Sequence, residues 1–230
     1  EDQKREALIL DFLVASEVDG IILCSSRLAA KQLEEKLKEI PPTILVGREV
    51  NAEVAGTVLI KDDEGAMLAI KHLIENRRKH IACLTGPPQS NSGERRKEGY
   101  IKALEMAGLS IDDTLILDCE ATPEGGESAC LKLLSQAHID GIFCHNDLVA
   151  AGAIQACRAM GKSVPEDIAI IGVDDISLAR LIEPKLTTLK SPAYEVGATA
   201  FEMLIDVVQG KEVKSEVLFD QTLIVRESAP

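Results

Sequence analysis

The sequence predicts an α/β protein built on parallel sheets with helices on both faces. Short, β-branched, nearly continuous apolar runs recur at residues 20–23, 43–46, 57–60, 80–84, 115–117, 141–144, 168–173 and 187–189. Strands apolar on both sides belong to parallel sheets covered by helices. The stretches between these runs are amphipathic at helical spacing, so strand and helix alternate throughout in the βαβ manner of a doubly wound fold. With 230 residues, 46% hydrophobic and 27% charged, there is chain enough for one large or two modest cores.

The chain opens on a charged amphipathic helix over residues 4–16 with no strand before it, from which a segment upstream of residue 1 is expected. Strands follow at 20–23, 43–46 and 57–60. Over 64–75, Ala66, Ala69, Ile70, Leu73 and Ile74 share one face of a helix. Residues 147–160 form an alanine-rich helix that Asn146 or Asp147 can cap and Gly161 closes. Pro192 starts a helix whose apolar positions Val196, Ala200, Met203, Leu204 and Val207 end before Gly210. A polar loop and a final strand at 222–225 complete the chain.

Twenty-five basic residues against 38 acidic ones leave a formal charge of −13, which repels phosphate backbones, so any DNA contact must lie outside this segment. No run approaches the roughly 20 apolar residues of a membrane span, and residues 1–5 lack the apolar stretch of a secretory signal. A cytoplasmic protein is expected. The six cysteines form no CxxC pair, and several sit inside apolar runs, as Cys24 and Cys83 do; reduced, buried thiols are the expectation. The four histidines have no zinc-site spacing.

Catalytic patterns are missing: there is no GxSxG elbow, no HExxH and no P-loop. Residues 85–88, Thr-Gly-Pro-Pro, follow a strand but lack the glycine spacing and lysine of a phosphate cradle. The chain is expected not to be an enzyme and to carry no metal or cofactor. Polar residues do follow apolar strands, where the carboxyl ends of a parallel sheet make a ligand crevice. These are Asp62-Asp63, His145-Asn146-Asp147 and Asp174-Asp175, with Arg96 in the loop or helix start after residues 80–85. Converging carboxylate, amide and guanidinium groups can bind the hydroxyls of a small polar molecule. Equally, Asn146 and Asp147 can simply cap a helix, the acidic doublets can be caps or solvated charge, and Arg96 can be surface charge. The residues alone leave the two readings even.

Seven segments in order then match one family: 58–66 (VLIKDDEGA), 72–74 (HLI), 81–86 (IACLTG), 96–104 (RKEGYIKAL), 146–153 (NDLVAAGA), 164–175 (VPEDIAIIGVDD) and 184–189 (PKLTTL). Each is weak alone; their order and spacing together resemble the LacI/GalR transcriptional regulators over essentially the whole chain. The resemblance implies two lobes of the periplasmic-binding-protein-like type joined by three crossovers. The amino-terminal lobe, incomplete, would hold residues 1–61 and 192–212, and the carboxy-terminal lobe residues 62–190 and 213–230. By position Arg96, Asn146 and Asp174 match the family's effector-binding residues; Asp62, Asp63, Lys190 and Ser191 fall at a hinge or cleft margin. Gly47 and Arg48 follow the strand that in some members supplies an aspartate to the ligand, which Gly47 cannot do.

The resemblance further implies a small effector such as a sugar and operator DNA held by an N-terminal helix-turn-helix not present in this chain. It also implies a homodimer, with an interface expected at Leu148, Ala151, Gln155, Leu181 and Ile182. An aromatic that stacks on the sugar in some members would fall near Ala121-Thr122, and the chain has no Trp, two Tyr and four Phe. Replacing Arg96 by alanine is expected to weaken effector binding with little change in folding. The alternative function is an extracytoplasmic sugar-binding protein feeding a transporter, which would share the fold.

Overall fold

The computed structural model describes residues 3–51 and 54–230. In chain order the elements are α1 Gln3–Ala15, β1 Ile21–Cys24, α2 Ala30–Leu37, β2 Thr43–Val46, β3 Gly56–Ile60, α3 Asp62–Glu75, β4 Ile81–Leu84, α4 Asn91–Met106, β5 Ile116–Leu117, α5 Pro123–Gln136, β6 Gly141–Cys144, α6 Asp147–Ala159, β7 Ala169–Asp174, α7 Leu178–Leu181, β8 Thr187–Lys190, α8 Ala193–Val208, β9 Glu216–Phe219 and β10 Thr222–Ile224. They divide into two compact units, Glu1–Ile60 with Pro192–Phe219, and Lys61–Ser191 with Asp220–Pro230. Among the described residues no helix is long and apolar enough to cross a membrane.

The first unit is a four-stranded sheet in the order β1-β2-β3-β9, parallel throughout. The unbroken apolar run of β2 has a simple cause, since successive side chains leave opposite faces of a strand. Leu45 joins Leu10, Leu28, Leu33 and Leu37 on one face, while its neighbour Ile44 joins Val58, Val196, Ala200 and Met203 on the other. α8, entered at Pro192, therefore packs on this sheet through its expected apolar stripe. β9 departs from the sequence reading, which placed residues 213–219 in a polar loop and with the other unit. Its residues alternate between exposed and half-buried, too short and polar a pattern to stand out, yet Thr57 to Ile60 of β3 pair in register with it. The third passage between units consequently lies after Phe219, not before Val213.

The second unit holds a six-stranded sheet in the order β10-β8-β7-β6-β4-β5, parallel except for β10 against β8. Alternation again sorts its strands: Ala82, Leu84, Ile142, Cys144 and Ile170 face α5 and α6, whereas Ile81, Cys83, Phe143, Ile171 and Val173 face α3 and α4. α5 and α6 meet backbone to backbone, because a Cβ on Gly126 would stand 2.2 Å from the Val149 carbonyl oxygen and one on Gly152 only 1.9 Å from that of Pro123. Such an approach is open only to glycine. All six cysteines are free, and Cys83, Cys130, Cys144 and Cys157 are buried as expected. Cys24 is not: it ends the edge strand β1 with its thiol exposed, so an apolar run did not guarantee burial there.

Candidate functional site

Three adjacent parallel strands of the second unit, β4, β6 and β7, end on one edge of the sheet. Arg96, Asn146 and Asp174 all follow from those ends, so the sheet order itself gathers the residues that the sequence scatters over 79 positions. Each is held differently.

Arg96 lies on α4, whose start is fixed by Ser90, its hydroxyl accepting from the Gly93 amide at 3.1 Å. It is buried, not surface charge. Its Nε and Nη2 each donate to Asp62 Oδ1 at 2.8 Å, and its Nη1 donates to the His145 carbonyl oxygen at 2.6 Å. A guanidinium has five N–H donors; these bonds engage three, which leaves two for another molecule. Asp62, equally buried, stands in the first turn of α3. The pair joins α3, α4 and the loop after β6, so the expectation that Arg96 could be removed with little effect on folding is corrected: the residue is a structural tie as well as a donor.

Asp63 points elsewhere and pairs with Arg95 at 3.1 Å. Burial alone would raise its carboxyl, but the Arg95 bond and charge, with backbone amides, outweigh this and hold it below the ordinary range. The doublet thus splits between two arginines. Both aspartates stand directly after the boundary between the two units at Ile60 and Lys61.

Asn146 is the N-cap of α6, its Oδ1 accepting from the Val149 amide at 2.9 Å. The capping reading is therefore correct for it. Its side-chain NH2 makes no hydrogen bond among the described residues and remains a donor for a ligand. Asp147, beside it, is fully buried: Oδ2 accepts from the Ile176 amide at 2.8 Å and Oδ1 from the Thr188 hydroxyl at 2.5 Å. Desolvation pushes its carboxyl up to about 6, against the pull of those two bonds and with a further push from Asp174 and Asp175.

Asp174, the last residue of β7, and Asp175 after it have φ of 109° and 54°, two consecutive non-glycine residues in the left-handed region. Such a pair persists only when its surroundings enforce it. Asp175 is locked by Arg226 Nη2 at 2.6 Å and Arg180 Nη2 at 3.1 Å, which hold its carboxyl low despite burial. Asp174 is exposed, and among the described residues its carboxylate accepts no hydrogen bond. Although its own surface is open, the protein around it raises its carboxyl; the Arg96 charge opposes this and that of Asp62 adds to it. A carboxylate, two guanidinium protons and an amide NH2 are thus without hydrogen-bond partners among the described residues.

Around this group Gly86, at φ +78°, lets His145 lie against the backbone, since a Cβ there would be 2.4 Å from His145 Cγ. Thr85 donates to Asp118 Oδ1 at 2.6 Å, a contact that no sequence pattern indicated. Lys190 is exposed and is the cross-strand partner of Asp174, while the Ser191 hydroxyl accepts from Gln221 Nε2 at 3.0 Å. In the first unit Arg48 is buried and its Nη1 donates to the carbonyls of Ser26 and Leu28, tying loops together at the ends of β1 and β2.

Of the residues expected at a subunit interface, Leu181 is 77% exposed and Gln155 is exposed, whereas Leu148 and Ala151 are half-buried. Ile182 packs partly against its own core. Among the described residues no three or more His, Cys, Asp or Glu side chains are placed to hold a metal ion.

Comparison with known proteins agrees with this architecture. Residues 70–229 match the family model described as a periplasmic binding protein-like domain. The HTH-type transcriptional repressor CytR of Escherichia coli strain K12 is 34% identical over 227 residues, which span 98% of this chain and 67% of that repressor. Among solved structures, a transcriptional regulator CelR–cellobiose complex superposes with a TM-score of 0.89 at 30% identity, over 98% of this chain and 69% of the other. A LacI family transcriptional regulator from Enterococcus faecium with bound ribose gives 0.86 at 30% identity, over 96% and 83%.

Proposed function

Because the chain belongs to the periplasmic binding protein-like family and, within it, to the LacI-type transcriptional regulators, we propose that it is the effector-sensing region of a DNA-binding repressor and not an enzyme. Its ligand is a small polyhydroxylated molecule of the sugar class. The observation that carries this is the set of uncommitted groups on one sheet edge: two donors on Arg96, the Asn146 amide and the Asp174 carboxylate. A sugar ring presents hydroxyls that both donate and accept, and a donor–acceptor–donor arrangement matches it, whereas a phosphate would meet an unpaired Asp174 charge. The sugars named in the two similar complexes support the same class. Relatives that are repressors favour this reading over a transporter's receptor.

Operator DNA would be held by a segment outside this acidic chain, in the cytoplasm, and the protein would act as a homodimer. Leu181, largely exposed on α7 next to the half-buried Ile182, is an apolar side chain available for that contact, as is the half-buried Leu148 on α6.

A thermal-shift panel of sugars, sugar phosphates, nucleobases and polyols tests the ligand class, since anything that binds only the folded state raises the melting temperature. A sugar that stabilises the wild type and fails to stabilise an Asp174→Asn, Asn146→Ala variant is the expected result. No response to any sugar, or an equal response in the variant, overturns the assignment.

A further inference from the structure

Asp147 is buried beside the candidate effector residues yet faces none of the space they share, and its two bonds run to the segments that flank Asp174. Oδ2 takes the amide of Ile176, two residues after Asp174, and Oδ1 takes the hydroxyl of Thr188, next but one before the cross-strand partner of Asp174, Lys190. The carboxylate rests on β7 itself: a Cβ on Gly172 would come within 2.4 Å of Oδ1. The other half of the turn is held through Asp175 by Arg226 and Arg180.

We infer that Asp147 is a positioning residue for effector binding: it clamps the turn after β7 in its left-handed form and so aims the Asp174 carboxylate at the ligand. This rests on the sugar-sensing reading above but has a part that needs no ligand. Two consecutive non-glycine residues with positive φ are strained, so the turn would relax toward ordinary backbone if one of these anchors were lost. The burial that raises the Asp147 carboxyl is the counterpart of this role, because a carboxylate kept from water is kept there by what it holds. A bare cap would not need it; Asn146 already caps α6.

The test compares wild type with Asp147→Ala, Asp147→Asn and Thr188→Val. Asparagine preserves the shape and an acceptor for the Ile176 amide, and its NH2 can donate to the Thr188 hydroxyl. Without ligand, the 13Cα and carbonyl shifts of Asp174 and Asp175, which report backbone torsion, should move away from left-handed values in Asp147→Ala and stay near wild type in Asp147→Asn. With D-ribose and cellobiose as probes, at a temperature where circular dichroism shows every variant folded, Asp147→Ala should lose about tenfold or more in affinity and Asp147→Asn about threefold or less. Should Asp147→Ala fail to fold, Thr188→Val, which removes one of the two bonds, carries the comparison and should show smaller changes of the same sign. Unchanged Asp174 and Asp175 shifts in the folded alanine or valine variant overturn the inference, as does an affinity loss that asparagine does not rescue. If the wild type binds no sugar at all while the shifts move as expected, the clamp stands and the sugar-sensing reading fails.

Discussion

Removing Arg96 should be far more damaging than its place at a binding site suggests. Its side chain and that of Asp62 are 9% and 8% exposed, and the three bonds made by the guanidinium link α3, α4 and the loop after β6. In Arg96→Ala the Asp62 carboxylate stays buried with its countercharge gone, a situation that costs about 3–5 kcal/mol. Asp62 sits in the first turn of α3, where the helix dipole and free amides favour an anion by about 0.3–1 kcal/mol, so the lower end, about 3 kcal/mol, is expected. Asp62→Asn retains one acceptor and should cost less, about 1.5–3 kcal/mol. Because the two residues are one unit, the double variant Asp62→Asn, Arg96→Ala should be less destabilised than the sum of the two single changes by about 2 kcal/mol. Urea unfolding at pH 7 gives all three differences. Single variants within about 1 kcal/mol of wild type, or strict additivity, would show that the pair is not a structural tie. The same reasoning makes Arg96→Lys the cleaner probe of ligand contact, since it keeps the charge and removes the fork.

Acidification should stabilise the protein before it destabilises it. Asp147 titrates near 6 when folded against about 3.9 unfolded, so the folded state binds the proton more tightly and stability rises by about 2 kcal/mol as pH falls from 7 to 4.5, with Asp174 adding in the same direction. The carboxylates Asp63, Asp112, Asp175 and Glu227 are held low and lose most of their contribution below about pH 4.5, so they offset little of this rise. Urea midpoints at pH 7 and 4.5 measure the rise; Asp147→Asn should remove most of it, and an equal rise in that variant would assign it to other groups. Gly152→Ala places a methyl 1.9 Å from the Pro123 carbonyl oxygen, which must push α5 from α6, and a loss of several kcal/mol is expected where an exposed Gly→Ala in a helix would gain about 1; a melting temperature at or above wild type contradicts the close crossing. Leu181→Asp should shift sedimentation toward the monomer with little change in stability, because the side chain is exposed, whereas Ile182→Asp should also lower stability through its own core. A dimer undisturbed by both would move the interface elsewhere.

The fold was legible because its signal is redundant. Every strand but β9 and β10 is announced by a short, nearly continuous apolar run, as Ile44 and Leu45 illustrate by entering opposite cores; β10 is marked only as the last strand-like stretch after a polar loop. β9 escaped because an edge strand covers one side only: Glu216 and Leu218 are exposed, Val217 and Phe219 half-buried, and four residues of such alternation are indistinguishable from a loop. That single omission moved the last passage between units by seven positions. Cys24 misled for the same reason, being the last residue of an edge strand.

The candidate site was legible in its membership and not in its roles. That polar residues at the ends of β4, β6 and β7 converge follows from parallel topology, which the sequence pattern implies. Which member of each acidic doublet faces outward depends on partners remote in sequence. Asp62 is engaged by Arg96, 34 positions away, and Asp175 by Arg226, 51 positions away; neither pairing has a local signature. In each doublet one residue is tied to an arginine remote in sequence and its neighbour goes elsewhere, but the outcomes differ. Asp63 finds Arg95, whereas the Asp174 carboxylate accepts no hydrogen bond among the described residues. Asp147 shows the limit most plainly. Read as a helix cap in a sequence, it is chemically equivalent to Asn146; only burial, and the 29 and 41 positions that separate it from Ile176 and Thr188, make it the residue on which the geometry of Asp174 depends.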